Sequence, residues 1–273
     1  PISVDLLQKS KDGTIKNGVK LHDGLMVESV LIPTESRTTA CVSSQVGCSL
    51  NCEFCATAKL KRMRNLEVAE IVDQVALIDK QSKLYFDRPL SNIVFMGMGE
   101  PMMNYKNVVD AIKKITDEDG LGMSARRITV STSGIPKMMR MLADENLKVK
   151  LALSLHSAIE HKRNEIMPFS TKFPLTEIME AMQYWYSKTE NRITFEYCVW
   201  KGINDGEEDI KALIKYCRQV PCKVNLIQYN PIGEGKFDHR SVEAEERYVR
   251  ELEKAGITVL VRRSRGGDID AAC

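Results

Sequence analysis

Thr39-Ala-Cys-Val-Ser-Ser-Gln-Val-Gly-Cys-Ser-Leu-Asn-Cys-Glu-Phe-Cys55 is the stretch that decides the fold. Residues 39–44 read as a short strand, and they run directly into a loop carrying Cys48, Cys52 and Cys55. A strand that delivers a reactive loop at its C-terminal end points to a parallel α/β architecture, where chemistry gathers beyond the strand ends. The unit recurs outward from this stretch. Strand-like runs lie at 92–96, 127–132, 149–154, 193–199 and 222–228, with helical patterns between them. One helix is expected from Asn65, with Val68, Ile71, Val72, Val75 and Ile78 on one face. Another begins near Asn104 and carries Val108, Ala111, Ile112 and Ile115; a third carries Ile178, Met179, Met182 and Trp185. A fourth starts at Asp205, with Glu208 three residues on in a capping-box arrangement. A last helix runs from near Ser241 to Gly256, before a seventh strand at 257–262.

Six strand–helix units after residue 39 are too few for a closed eight-stranded barrel. An open, partial (β/α)6 barrel of the α/β class fits the count. Lys16 to Lys20 and Leu25 to Ile32 flank His22-Asp23-Gly24, and Asp-Gly is a hairpin turn signal. The expected layout is therefore a β-hairpin extension over 1–38, a barrel over 39–263 and a C-terminal loop over 264–273. The segments just after the strands are small or polar: Gly97-Met-Gly-Glu100, Ser131-Thr-Ser-Gly134, Ser154-Leu-His156 and Tyr229-Asn-Pro231. A ligand cavity needs such residues.

Composition is normal for a soluble globular protein and excludes several classes. The chain has 273 residues, 43% apolar and 28% charged, which rules out a disordered or collagen-like polymer. A net charge of +2 provides no global field for nucleic-acid binding. No apolar run reaches the ~18–20 residues that span a bilayer, and no secretory leader opens the sequence, so no membrane is expected.

Eight cysteines in a chain long enough to bury its own core argue for metal or redox chemistry over disulfide stapling. Cys48, Cys52 and Cys55 form C-x3-C-x2-C. Three thiolates on one loop can hold three irons of a 4Fe–4S cluster and leave the fourth iron open to a small molecule. Tetrahedral zinc would need a fourth ligand, which Cys41 could supply. Cys198, Cys217 and Cys222 read as buried core thiols. Met26, Met63, Met96, Met98, Met102 and Met103 read as packing residues. Glu28 alone reads as the solvent side of an alternating strand. His156 reads either as a satisfied structural histidine or as a cavity residue. His22, His161 and His239 read as surface residues. Basic groups at Lys59, Lys61, Arg62 and Arg64, at Arg126 and Arg127, and at Arg262, Arg263 and Arg265 suit phosphate contacts or a solvated face.

With Phe54 before the last cysteine, this loop resembles the radical S-adenosylmethionine (SAM) superfamily, and Gly97-Met-Gly-Glu-Pro101 is similar to its glycine-glutamate motif. More narrowly, the chain resembles the dual-specificity ribosomal and transfer RNA adenine C2 methyltransferase family. The matching segments, in the family's order, are Cys41-Val-Ser-Ser-Gln-Val-Gly-Cys48, Phe95 to Pro101, Arg127-Ile-Thr-Val-Ser-Thr-Ser-Gly134, Leu153-Ser-Leu-His156, Asn225-Leu-Ile-Gln-Tyr-Asn-Pro231 and Arg265-Gly-Gly-Asp-Ile-Asp-Ala-Ala-Cys273. The resemblance implies a partial radical-SAM barrel with one 4Fe–4S cluster on Cys48, Cys52 and Cys55. It implies SAM contacts from Gly99, Glu100, Ser131, Ser154, Leu155, His156 and Asn230. Cys273 would carry the methyl group, Cys41 would resolve the protein–RNA adduct, and Glu28 would accept a proton.

The implied chemistry consumes two SAM molecules per turnover. One methylates the Cys273 thiolate; the other yields a radical that activates the S-methyl group for addition to adenine C2. Cys41 then attacks the sulfur of Cys273 and releases the methylated base, a step of thiol–disulfide exchange character. The implied partners are 23S rRNA, tRNA and a one-electron donor such as flavodoxin or ferredoxin, for a cytoplasmic monomer. Family members usually add an N-terminal helical accessory domain, which this chain starts after, and a tail beyond Cys273. Two alternatives stay open: a C8-adenosine methyltransferase of the same family, and a zinc-binding, non-catalytic RNA protein.

Overall fold

The computed structural model describes residues 1–233, 237 and 240–271, so the expectations for Cys273 and His239 lie outside the described residues. One ten-stranded sheet organises them. Its parallel part holds β4 (Thr38–Cys41), β7 (Asn92–Phe95), β8 (Ile128–Thr132), β9 (Lys150–Ser154), β10 (Ile193–Tyr197), β11 (Cys222–Ile227) and β12 (Thr258–Arg262), in that spatial order. All six neighbouring pairs are parallel. A two-stranded ribbon, β5 (Gln45–Val46) with β6 (Arg64–Asn65), flanks the cysteine loop. The crossovers are α1 (Val68–Phe86), α2 (Tyr105–Thr116), α3 (Pro136–Asp144), α4 (Glu160–Ile166) with α5 (Leu175–Thr189), α6 (Glu207–Cys217) and α7 (Val242–Lys254). This is the partial barrel with a seventh strand that the strand–helix alternation predicts.

The core lies between sheet and helices. Ile71, Val75 and Ile78 of α1, Val108 and Ile112 of α2, and Ile178, Met182 and Trp185 of α5 are buried against Ile93, Phe95, Val130, Leu151 and Phe195 of the strands. Each such side chain contributes about 1.5–3 kcal/mol by leaving water. The strand residues of opposite parity face the lumen. Several are small or polar, among them Ser131, Ser154 and Glu196, and that parity creates room for a ligand.

Four expectations need correction. The N-terminal extension is a three-stranded meander: β1 (Ser3–Lys9) precedes the predicted hairpin of β2 (Ile15–Lys20) and β3 (Met26–Pro33). The strand β3 pairs antiparallel with β4, so the meander continues the barrel sheet. Strand β1 is almost wholly exposed, so it has no apolar face and no alternation that would mark it in the sequence. Helix α1 starts at Val68 rather than Asn65, because Arg64 and Asn65 pair with the cysteine loop as β6. Helix α6 is capped at Gly206 rather than Asp205: the Asp209 carboxylate accepts from the Gly206 N–H at 3.0 Å. Met63 is 60% exposed and Met26 38%, so neither packs as expected.

Candidate active site

The cysteine loop grows from β4 and is held by backbone contacts on both sides. The Cys48 N–H donates to the Leu60 carbonyl at 3.2 Å, and the Glu53 N–H donates to the Ile166 carbonyl at 3.1 Å. Phe54, inside the loop, meets the His156 ring edge-on at 4.6 Å and tilts against Trp200 at 5.4 Å. The aromatic before the last thiol thus anchors the loop to the ends of β9 and β10.

Gly97-Met-Gly-Glu100 leaves β7 beside this loop. Gly99 adopts φ +94°, and a Cβ there would stand 2.4 Å from Cβ of Gln45. The turn therefore requires glycine for close approach as well as for its backbone angle. The buried Glu100 carboxylate accepts from the Ser133 N–H at 2.8 Å and the Met102 N–H at 3.1 Å. Burial pushes its carboxyl up, against the hydrogen bonds from Ser133, Thr132 and Met102. It ties the ends of β7 and β8 together.

His156 follows β9 in a left-handed conformation, φ +57°. Its Nδ1 accepts from the Cys198 N–H at 3.0 Å, and its carbonyl accepts from Asn204 Nδ2 at 2.7 Å. Burial, with the nearby Arg163 cation adding to it, pushes the imidazole down to about 3. The ring is neutral, and the acceptor role of Nδ1 leaves Nε2 as the N–H donor. His156 is at once a satisfied structural residue and a cavity residue.

These loops surround a cavity of about 310 Å³ at the C-terminal mouth of the barrel. Its lining includes Glu28, Cys41, Cys48, Cys52, Cys55, Gly99, Glu100, Ser131, Ser154, His156 and Asn230. The structure therefore brings together eleven of the expected site residues that it describes. Leu155 is the exception. It is fully buried outside the lining, and its backbone groups already bond Glu196, Ser157 and Arg163. Glu28, on β3, is not simply solvent-facing: it reaches the cavity rim with Lys16 Nζ at 3.4 Å. Cys41 is buried with Val30 and Ala271, at the edge of the same cavity. Cys198 and Cys217 are buried as expected, while Cys222 is only half-buried and donates its Sγ–H to the Cys217 carbonyl at 3.4 Å.

Two functional positions were missed. Glu196, on β10, is a buried carboxylate lining the cavity. It accepts from Asn225 Nδ2 at 3.1 Å and stands 3.5 Å from Arg262 Nη1. A charged residue at the centre of a buried parallel strand was the available signal. The second is Arg163, 1% exposed, whose guanidinium donates to the carbonyls of Ser133 at 2.6 Å, Ser154 at 3.1 Å and Leu155 at 3.2 Å. Glu160-His-Lys-Arg163 reads as an ordinary polar helix face, so nothing in the sequence marks it.

The thiol set fits an iron–sulfur cluster better than a single ion. Burial pushes the Cys48 and Cys52 thiols up, and the neighbouring Cys55 adds to both. Three thiolates here are costly unless cationic iron stands among them. Sulfurs on one tetrahedral zinc lie roughly 3.8 Å apart. Among the described residues, only His22, Glu67 and Glu70 bring three candidate ligand atoms within 4.8 Å of one another, so Cys48, Cys52 and Cys55 are spread wider than one zinc ion takes. In the histidine–glutamate cluster, Glu70 is already engaged by Arg64 at 2.9 Å.

An open barrel with a three-thiol loop at its mouth defines a radical SAM enzyme, and residues 42–217 match the model of the Radical SAM superfamily. Two similar relatives are each described as a probable dual-specificity RNA methyltransferase RlmN. The protein from Flavobacterium psychrophilum is 66% identical over 100% of this chain and 78% of its own length. That from Christiangramia forsetii is 67% identical over 100% of this chain and 77% of its own. The crystal structure of a radical SAM methyltransferase from Sphaerobacter thermophilus superposes with a TM-score of 0.97, at 40% identity over 100% of this chain and 80% of that one. The chain belongs to the RlmN family of radical SAM RNA methyltransferases. It therefore acts on RNA, and its family uses a 4Fe–4S cluster and SAM. Among the described residues, no helix is long and apolar enough to cross a membrane.

Proposed function

We propose that this enzyme methylates C2 of adenosine in 23S rRNA and in tRNA, with Cys273 as methyl carrier and Cys41 as the residue that frees the product. One observation supports this most. The segment leading to Cys273 runs over the cavity rim, where Ala271 packs against Cys41 and lines the cavity that the three-thiol loop shares.

Cys48, Cys52 and Cys55 would hold three irons of the cluster, and the fourth iron is left for SAM. Gly99, Glu100, Ser131, Ser154, His156 and Asn230 would cradle SAM, with Asn230 fixed by a hydrogen bond from Ser264 Oγ at 2.8 Å. When bound, these groups supply methyl transfer to sulfur from one SAM and a hydrogen-abstracting radical from a second. The chain's own residues do the rest. Cys273 Sγ carries the methyl carbon, which becomes the bridge to adenine C2. Glu28 would take the proton lost from C2, and the unpaired electron of the adduct would return to the iron–sulfur cluster, which leaves a closed-shell ring. Cys41 Sγ, as thiolate, attacks Cys273 Sγ: the S–S bond forms, the sulfur–carbon bond breaks, and the departing carbon takes a proton to become the methyl group. The base must leave its stack to reach this mouth, which unpaired RNA permits most readily. Reduction would come from a one-electron carrier such as flavodoxin or ferredoxin, in a cytoplasmic monomer.

Methyl-labelled SAM, an rRNA fragment and tRNA, followed by nucleoside mass analysis, test this reading. Labelled 2-methyladenosine from both RNAs is expected. Label found only in 8-methyladenosine would overturn it.

A further inference from the structure

Lys59-Leu-Lys-Arg-Met63 forms a turn on the outer side of the cysteine loop that the methyl chemistry leaves unused. Leu60 is 51% exposed and Met63 60%, two large apolar side chains in water. Lys59, Lys61 and Arg62 are exposed around them, and among the described residues none makes an ion pair. The next cation, Arg64, is by contrast taken up by Asp23 at 2.7 Å and Glu70 at 2.9 Å. Residues 56–64 contain no carboxylate.

The turn is locked to the thiol loop behind it. The Leu60 carbonyl accepts the Cys48 N–H at 3.2 Å, and the Met63 N–H donates to the Val46 carbonyl at 2.8 Å. Gly47, with φ +72°, lies so close that a Cβ there would stand 2.4 Å from the Lys61 carbonyl oxygen. An exposed apolar side chain therefore belongs to a residue one hydrogen bond away from a cluster thiol's backbone.

We propose that this turn is the docking surface for an acidic one-electron carrier protein that reduces the cluster. The inference rests on the reading of Cys48, Cys52 and Cys55 as cluster ligands. A small apolar centre ringed by charge is the anatomy of a transient protein contact. The unpaired cations fit an acidic partner and steer its approach. Electron tunnelling falls steeply with distance, which favours a dock beside a ligand. RNA phosphates would use the cations but have no use for exposed Leu60 and Met63. The carrier gives up one electron and is oxidised by one; the cluster gains it and is reduced by one. No bond is made or broken and no proton moves in this step.

The test uses anaerobically reconstituted enzyme, wild type against Lys61→Glu/Arg62→Glu and, separately, Leu60→Ser. Reduced flavodoxin and dithionite each bleach the cluster in a stopped-flow instrument. Flavodoxin binding is followed against ionic strength, and RNA affinity is measured alongside. The charge-reversed enzyme should be reduced by flavodoxin ~10-fold more slowly at low salt and should lose most of the salt dependence of binding. Leu60→Ser should weaken flavodoxin binding at every salt concentration. Dithionite bleaching and RNA affinity should match wild type in all variants, which also shows that they fold and load. Wild-type flavodoxin kinetics in these variants would overturn the proposal, as would a parallel fall in RNA affinity, which assigns the turn to RNA. A wild-type enzyme with no iron for dithionite to bleach would overturn the cluster reading itself, and the docking proposal with it.

Discussion

Asp12 Oδ2 accepts a hydrogen bond from the Gly266 backbone N–H at 2.8 Å, joining residues 254 positions apart. Ser10 Oγ and the Lys11 N–H donate to the Asp268 carboxylate in the same place. Lys16 Nζ adds a bond to the Asp270 carbonyl at 3.4 Å. The turn between β1 and β2 thus straps down the segment that leads to Cys273. Replacing Asp12 with Ala removes an acceptor worth about 1 kcal/mol or less at this exposed position. Faster amide exchange at 266–271 and slower RNA methylation are expected, with the barrel's exchange unchanged. Hydrogen exchange read by mass spectrometry checks this.

The same strap has a pH limit. Burial by itself raises the Asp12 carboxyl, but hydrogen bonds from Thr14, Gly266 and Ser10 outweigh it and hold it at about 2. A carboxylate lowered by folding contributes stability above its unfolded value, near 4, and that contribution fades as pH falls from about 4 to about 2. NMR titration of the Asp12 carboxyl should show a midpoint near 2 in the folded protein, and a midpoint near the unfolded value of about 4 would overturn this account of the strap.

Glu196 has the opposite sign. Burial pushes its carboxyl up, although Arg262 and Asn225 pull it down. A carboxylate raised by folding destabilises increasingly as pH rises above its unfolded value, since the native state then holds the extra proton. Glu196→Gln should therefore flatten the decline in thermal midpoint as pH rises above the unfolded carboxyl value. A wild-type slope in this variant would argue that Glu196 is not the titrating group.

Gly99→Ala should be severe. The left-handed backbone alone costs about 1–3 kcal/mol with a Cβ, and the contact with Gln45 adds to it. A lowered thermal midpoint and weakened SAM binding by calorimetry are expected. Gly24→Ala is a useful control, since it also has positive φ but nothing lies within 4 Å of a Cβ there.

The thiols separate by task. Cys52→Ala should lose the brown colour and most of the iron after anaerobic reconstitution, whereas Cys198→Ala should keep both. Cys41→Ala should keep the iron yet accumulate a covalent protein–RNA species, visible as a slower band on a denaturing gel. Strong iron chelation should abolish methylation in wild type.

The parallel barrel was legible because its strands alternate with helices of clear 3.6-residue periodicity, and because turn-forming polar segments follow each strand. The thiol loop was legible through its spacing, and the segments that line the cavity through their place after the strands. Other features were not, for identifiable reasons. Strand β1 has no buried face and so no alternation to read. The start of α1 moved because Arg64 and Asn65 pair with residues 45–46, a long-range choice that local propensity does not carry. Glu196 and Arg163 depend on partners from other strands, which a linear reading does not bring together. Met63 read as a packing residue because its side chain is apolar; only the three-dimensional turn shows that it points outward.

The ten-stranded sheet ends at β1 on one side and β12 on the other, and these two edges are not neighbours. The chain that leaves β12 crosses between them and fastens onto the β1–β2 turn through Asp12, Ser10 and Lys16. One short length of backbone is thus both the clasp of the open sheet and the stem of the tail toward Cys273, so any change that loosens the clasp also changes where that tail sets out from.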